Sequence, residues 1–342
     1  MVPPADGRGV LVYCEVEGGR LAPLALEVLG VGRRLASALG QELGAVLIGE
    51  GVAPLASEVI VHGADKVYVG EAGLLCEYVL ELYLPVVEEA IEQAQPAILL
   101  FGHTLVGREL APWTAFRRGV VASMDCVALE IDPHTKRLLM TRPVYGGNAQ
   151  AVQVSMGDPQ VATVRAKTMA PAVKDHGRYG QVVELKAGGR LPAPRVKVLE
   201  RKAEPGTRVK LEEARVVVAG GRGIGSASGF KQLEELAGLL GGAVGATRPP
   251  CDAKWAKESQ QIGITGRIVG PELYIAVALS GASQHLAGCS AAKVIVAINK
   301  DPEANIFHVV DYGIADDWKA VVPALLSCLR ARTDKETEGI WR

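Results

Sequence analysis

The chain has 342 residues, 49% of them apolar, and its 37 basic and 38 acidic residues leave a formal net charge of −1. The length accommodates two domains with separate cores, while the balanced charge excludes a global field that would recruit nucleic acid or an anionic membrane. Apolar residues come in short runs broken by charge or glycine, so no stretch approaches the roughly 18 consecutive apolar residues of a membrane span.

The N-terminal "MVPPADGRGVLVYCEVEGG" lacks the basic-then-apolar order of a secretory signal, and a cytoplasmic protein is expected. Six cysteines are scattered without a CxxC pair or a histidine cluster, which points to reduced thiols and to no metal centre. The segments "GVLVYCEV", "GAVLIGE", "KVYVG" and "AILLFG" are short, β-branched and almost continuously apolar, as parallel strands covered on both faces must be. Between them "EVLGVGRRLASALGQEL" and "YVLELYLPVVEEAIEQA" carry helical periodicity, and this alternation predicts a Rossmann-like α/β domain. Residues 121–200 change character: "DCVALEID", "KRLLMTRPVY", "AQAVQVSM", "QVATVRA", "QVVELKA" and "RVKVLERK" read as strands without long helices between them. They are expected to form an antiparallel or mixed appendage to the first domain.

A charged, Pro- and Gly-containing stretch, "LERKAEPGTRVKLEEARVVVAGG", then places a boundary near residue 204. Beyond it the order is strand "RVVVAGG", helix "GFKQLEELAGLLG", strand "GAVGATR", strand "ELYIAVALS", a short helix, strand "KVIVAINK", strand "IFHVVDYG" and helix "DDWKAVVPALLSCLRA". This pattern predicts a doubly wound parallel sheet. The expected division is therefore 1–203, 204–330 and a polar tail, 331–342.

Four turns of the second domain adjoin buried strands and carry unusual residues. "GGRGIGSASG" embeds Arg222 in a glycine arrangement that is a weak dinucleotide fingerprint by itself. "GATRPPCDAKW" holds Arg248 before two prolines, on a backbone with little freedom. "QQIGITGRIVG" flanks Thr265 with Gly263 and Gly266, which allow close approach to a planar ligand. "VALSGASQHLAG" sets His285 beyond a run of small residues at a strand-to-helix turn, where α/β folds bind phosphates and cofactors. Tight packing around a satisfied core histidine is the competing explanation of that last motif.

With "GGRG", "GATRPPCDAKW", "QIGITGRIVGPELYIAVALSGASQHLAG", "KVIVAINKDPEANIFHVVDYGIADD" and "VVPALLSCL", residues 214–330 resemble the FAD-binding half of electron-transfer flavoprotein alpha subunits. "FGHTLVGRELAP" and "TRPVYGGNAQA" extend the resemblance more loosely into the N-terminal half. It implies an electron carrier with FAD bound by residues 204–330, and an N-terminal domain packed against a beta subunit that holds AMP or a second FAD. It further implies a flavoprotein dehydrogenase of the acyl-CoA type as donor. On this resemblance Arg222 and Thr247 contact FAD, Arg248 lies near the isoalloxazine, and Gln261, Ile262, Gly263, Ile264 and Thr265 line its edge. Ser280, Gly281, Ala282, Ser283, Gln284 and His285 run beneath the flavin and pyrophosphate, with the His285 ring donating to the flavin C2 carbonyl. Asn299, Asp317 and Trp318 lie by the ADP portion. Ile264 departs from the glutamine usual in the family, and Thr247 from the common serine.

An electron-bifurcating complex coupling NADH, ferredoxin and an enoyl-CoA is the related alternative. From other classes come an NAD(P)-dependent dehydrogenase using "GRGIGSASG" as its dinucleotide loop, and a non-redox adenine-nucleotide scaffold.

Overall fold

A computed structural model describes residues 7–145, 149–186, 191–200, 211, 212 and 214–339. The chain divides into two compact units, one of residues 1–144 and 149–202, the other of 145–148 and 203–342.

In the first unit, β1 (Val10–Tyr13) is followed by a two-residue-per-strand hairpin, β2 (Val16–Glu17) and β3 (Arg20–Leu21), and then by α1 (Pro23–Leu39). Proline opens α1 and Gly40 closes it in the left-handed region, the asymmetry expected of helix ends. Next come β4 (Leu43–Gly49), α2 (Ala56–Val61), β5 (Lys66–Glu71), α3 (Leu80–Ala94), β6 (Ile98–Gly102) and α4 (Leu105–Arg117). The remaining strands are β7 (Ala122–Cys126), β8 (Ala128–Ile131), β9 (Leu138–Val144), β10 (Ala149–Val154), β11 (Gln160–Val164) and β12 (Gln181–Glu184).

Seven of these strands make one parallel sheet in the order β12-β5-β4-β1-β6-β11-β7. The separate antiparallel appendage shrinks to β10-β9-β8. The expected members "QVATVRA" and "QVVELKA" belong to the parallel sheet instead, as β11 and β12, and β7 at 122–126 joins them there. Every residue of β11 is buried, as a strand covered on both faces requires. The expected strand "RVKVLERK" is absent over 195–200, which are exposed and irregular, and its last two residues lie outside the described ones. Alternation alone supplied no pairing partner there.

The second unit runs β13 (Val216–Gly220), α5 (Ala227–Leu239), β14 (Ala243–Ala246), α6 (Arg248–Asp252), β15 (Leu273–Val277), α7 (Ser283–Leu286), β16 (Val294–Ile298), β17 (Tyr312–Ile314) and α8 (Trp318–Gly339). All five strands are parallel, in the order β14-β13-β15-β16-β17. Strand alternation sends Val217, Tyr274 and Ala276 into a core on one face, and Val218, Ile275 and Val277 into a core with Phe230, Leu233 and Trp318 on the other. Two corrections follow. "IFHVV" forms a 3₁₀ turn, Asn305–His308, because Ile306 plugs inward with its N–H on the Ser280 carbonyl at 3.0 Å; only Tyr312–Ile314 is strand. The final helix continues to Gly339, into residues expected as a tail. Both units are thus α/β with parallel sheets.

Candidate functional site

Because the five strands of the second unit are parallel, the segments following them gather along one edge of the sheet. β13 and β15 are adjacent there while their successors in sequence lie on opposite sides, and ligands of open α/β sheets bind beyond such strand ends. The segments leaving β13 and β15 lie backbone against backbone. Gly221 N–H donates to the Val277 carbonyl at 2.9 Å and Gly223 N–H to the Ala278 carbonyl at 3.1 Å. A Cβ on Gly221 would stand 2.3 Å from the Ala278 oxygen, and one on Gly281, at φ +78°, 2.5 Å from the Ile306 nitrogen. Ala278 itself holds φ +51°, a strained state for alanine and a mark of functional turns. Gly221→Ala is therefore expected to cost about 1–3 kcal/mol by overpacking and to weaken ligand binding at this edge. Differential scanning calorimetry with a binding assay checks it; an unchanged melting profile would contradict the close approach.

Around this seam the expected residues take different positions. Arg222 starts a 3₁₀ turn directly after β13 and is exposed. Thr247 precedes α6 and is half-buried, with its N–H on the Gly220 carbonyl at 3.0 Å. Arg248 opens α6 with 69% of its side chain exposed, 3.4 Å from Asp252 one turn on. Two exposed guanidinium groups thus stand at the ends of neighbouring strands, a chemistry suited to anionic or planar groups.

The loop bearing Gln261, Ile262, Gly263, Ile264 and Thr265 crosses to the segment after β15. Ile264 N–H donates to the Gln284 carbonyl at 2.9 Å, so the backbone supplies a contact where the side chain has no amide. Gln261 donates to the Thr265 hydroxyl at 3.0 Å, which leaves the Thr265 O–H free to donate outward. Ile264 is 49% exposed. Ser280, Ala282 and Gln284 are exposed and Ser283 half-buried, a small polar shelf between β15 and α7.

His285 differs from its expected role. It is buried, its Nε2 lies 2.7 Å from the Tyr274 hydroxyl and its Nδ1 3.1 Å from the Ile262 carbonyl. A carbonyl only accepts, so Nδ1 carries the proton and Nε2 accepts from Tyr274. Both ring nitrogens have partners within the chain, which favours the core-histidine explanation over the expected donation to a cofactor carbonyl: the ring ties the 261–265 loop to β15. Burial pulls its pKa down from 6.5 to about 4. Tyr274, fully buried in β15, went unrecognised inside the apolar run "ELYIAV"; its signal was a hydroxyl that burial obliges to find a partner.

Three further residues act on the loops. Asn299 donates from its amide to the Leu279 carbonyl at 2.9 Å. Asp317 receives the Lys319 N–H at 3.0 Å and caps α8. Trp318 is buried, its indole N–H on the Gly223 carbonyl at 3.2 Å, so its ring supports the Arg222 turn.

Comparison with known proteins agrees across both units. Residues 10–188 match the electron transfer flavoprotein domain, and residues 210–290 the electron transfer flavoprotein FAD-binding domain. The electron transfer flavoprotein subunit alpha of Thermoanaerobacterium thermosaccharolyticum is 43% identical over 322 residues, covering 94% of this chain and 97% of its own. That of Bacillus subtilis is 42% identical over 320 residues, 93% and 96% of the two chains. Subunit LctC of the lactate dehydrogenase (NAD(+),ferredoxin) of Acetobacterium woodii is 35% identical over 336 residues, 97% of this chain and 80% of its own.

Proposed function

From the premise that the chain belongs to the electron transfer flavoprotein alpha subunit family, we propose that it holds FAD along the carboxyl edge of the β14-β13-β15-β16-β17 sheet and relays electrons from a flavoprotein dehydrogenase to a downstream acceptor. The observation that carries the reading is the seam between β13 and β15, where side chains are too small to fill the surface and the exposed Arg222 and Arg248 stand beside it, the latter paired with Asp252. The strand order supports a doubly wound arrangement whose crevice lies at that seam.

FAD, when bound, supplies reversible one- and two-electron chemistry. The chain's residues bind and orient it. Arg222, Thr247 and the shelf formed by Ser280, Gly281, Ala282 and Ser283 hold the phosphates and ribityl portion. Arg248 and the Thr265 hydroxyl face the ring system, while Ile262 and Gly263 bring backbone to its edge. The buried pair of Tyr274 and His285 fixes that edge without touching the cofactor. Asn299, Asp317 and Trp318 hold the supporting loops.

The partner is a beta subunit, proposed to pack on the first unit and to carry AMP. Support comes from α4, where Leu105, Trp113 and Phe116 project outward at 82%, 47% and 75% exposure, large apolar side chains of the kind that mark interaction surfaces. No described helix is long and apolar enough to cross a membrane. Co-expression with the beta subunit is expected to give a yellow heterodimer with one FAD, and expression alone an aggregating chain that holds flavin poorly. Absorption spectra and size-exclusion chromatography decide it. A colourless heterodimer would sink the FAD assignment, and a stable flavinated monomer the docking assignment. Two FAD per heterodimer would favour the bifurcating alternative, which the name of the Acetobacterium relative supports.

A further inference from the structure

The first unit contains a second candidate site of its own. Between β11 and β12 residues 165–180 run without helix or strand, longer than most connections in compact units. The strap is pinned at both ends. Lys167 and Met169 N–H groups donate to the two oxygens of the Glu27 carboxylate at 3.1 and 3.4 Å, and Ala172 N–H to the Leu26 carbonyl at 2.8 Å. Further on, Asp175 N–H meets the Val61 carbonyl at 2.8 Å, and Arg178 pairs with Asp65. At Gly30 the strap descends until a Cβ would stand 2.3 Å from the Ala170 oxygen. Yet it does not seal against α1 and α2: a cavity of about 380 Å³ remains between them.

Its wall is mainly apolar, with Val31, Val61, Met169 and Pro171, and His62, Arg33, Arg34, Asp175 and Arg178 also line it. His62 lines the cavity while only 2% exposed, and its Nδ1 lies 2.7 Å from the Glu58 carbonyl. That carbonyl requires the proton on Nδ1, so Nε2 is left as a lone pair, and no group among the described residues donates to it. That nitrogen is the acceptor His62 offers to whatever occupies the cavity. Charge at the rim is unequal. Arg33 is bound to Asp65, Ser37 and two carbonyls. Asp175 accepts from the Gly177 N–H at 3.0 Å, and Arg34 engages the Leu129 carbonyl through one nitrogen at 2.9 Å, leaving its other N–H groups for a ligand.

We propose that this cavity binds a small organic acid bearing a hydroxyl, its apolar body against Val31, Val61, Met169 and Pro171, its carboxylate at Arg34 and its hydroxyl donating to His62 Nε2. An apolar chamber of this volume with a few convergent polar groups has the form of small-ligand sites. The residues are all in the first unit, and the inference does not depend on the flavin assignment.

The test is isothermal titration of the full chain in complex with its beta subunit, using 4-hydroxyphenylacetate, phenylacetate and 4-methylphenol. Saturable binding of the first is expected, with phenylacetate about three- to tenfold weaker for want of one hydrogen bond. His62→Leu should make the two acids equal. Arg34→Gln, at an exposed position, should weaken both acids alike and leave 4-methylphenol unchanged. FAD content should stay constant throughout. No saturation by any probe, or affinities unmoved by Arg34→Gln, overturns the site. So does a ring-nitrogen NMR spectrum showing His62 Nε2 protonated in the unliganded protein.

Discussion

His285→Ala is expected to lower the stability of the second unit by about 3–5 kcal/mol, a fall of roughly 10 °C in its melting temperature. The ring leaves a cavity, and it also leaves the Tyr274 hydroxyl without an acceptor and the Ile262 carbonyl without a donor, both in the core. The sign of the pH dependence follows from the same burial. Above the ordinary histidine range, near pH 6.5, His285 is neutral in both folded and unfolded chains and its contribution is complete. As pH falls below 6.5 the unfolded chain takes up the proton, while the folded ring, with its pKa at about 4, does not. Stability therefore declines by at most roughly 1.4 kcal/mol per pH unit, about 3 kcal/mol in all, and levels off below pH 4. His285→Gln should be less stable at neutral pH and should lack this component of the acid slope. Thermal melts of the two proteins from pH 7 to 4 measure the difference; parallel curves would mean that the ring titrates normally and is not held as described. Flavin affinity should fall with His285→Ala through release of the 261–265 loop, whereas a changed reduction potential at full occupancy and unchanged stability would restore a direct contact.

Arg248→Ala is expected to lower the midpoint potential of the bound flavin by tens of millivolts with the fold intact. A unit charge near the ring is worth about 1–4 kcal/mol at an effective dielectric near 20, and ~2.3 kcal/mol corresponds to ~100 mV for one electron. The guanidinium is 69% exposed and shares its charge with Asp252, so the lower part of that range applies. Asp252→Asn, which removes the opposing charge, should raise the potential. Redox titration of the heterodimers reads both signs together. Equal potentials in the wild type and Arg248→Ala would place Arg248 away from the ring, and a large loss of thermal stability would show that the pair with Asp252 holds α6.

Much of the architecture was legible because local chemistry dictates it. Continuous apolar runs such as "GAVLIGE" and "KVIVAINK" can be satisfied only as strands covered on both faces, and glycine-rich turns such as "GGRGIGSASG" are legible at strand ends from the sequence. The run of motifs over residues 214–330, "SGASQHLAG" and "INKDPEA" above all, likewise carried the family resemblance. Pairing was another matter. Nothing in "QVVELKA" indicates that β12 crosses to the far edge and pairs with β5, since strand propensity names no partner. The strap over α1, and the cavity with His62 inside it, exist only because of that crossing.

The role of His285 shows most plainly what the fold alone decided. From "GASQH" it could equally face a cofactor or fill a core, because a single imidazole suits both. The choice was made by Tyr274, eleven residues earlier on β15, and by the Ile262 carbonyl, twenty-three residues earlier on a separate loop. Sequence determined that small residues and a histidine would meet at the end of a buried strand. The tertiary structure decided which way the ring points, since two partners in a dry core leave neither nitrogen free.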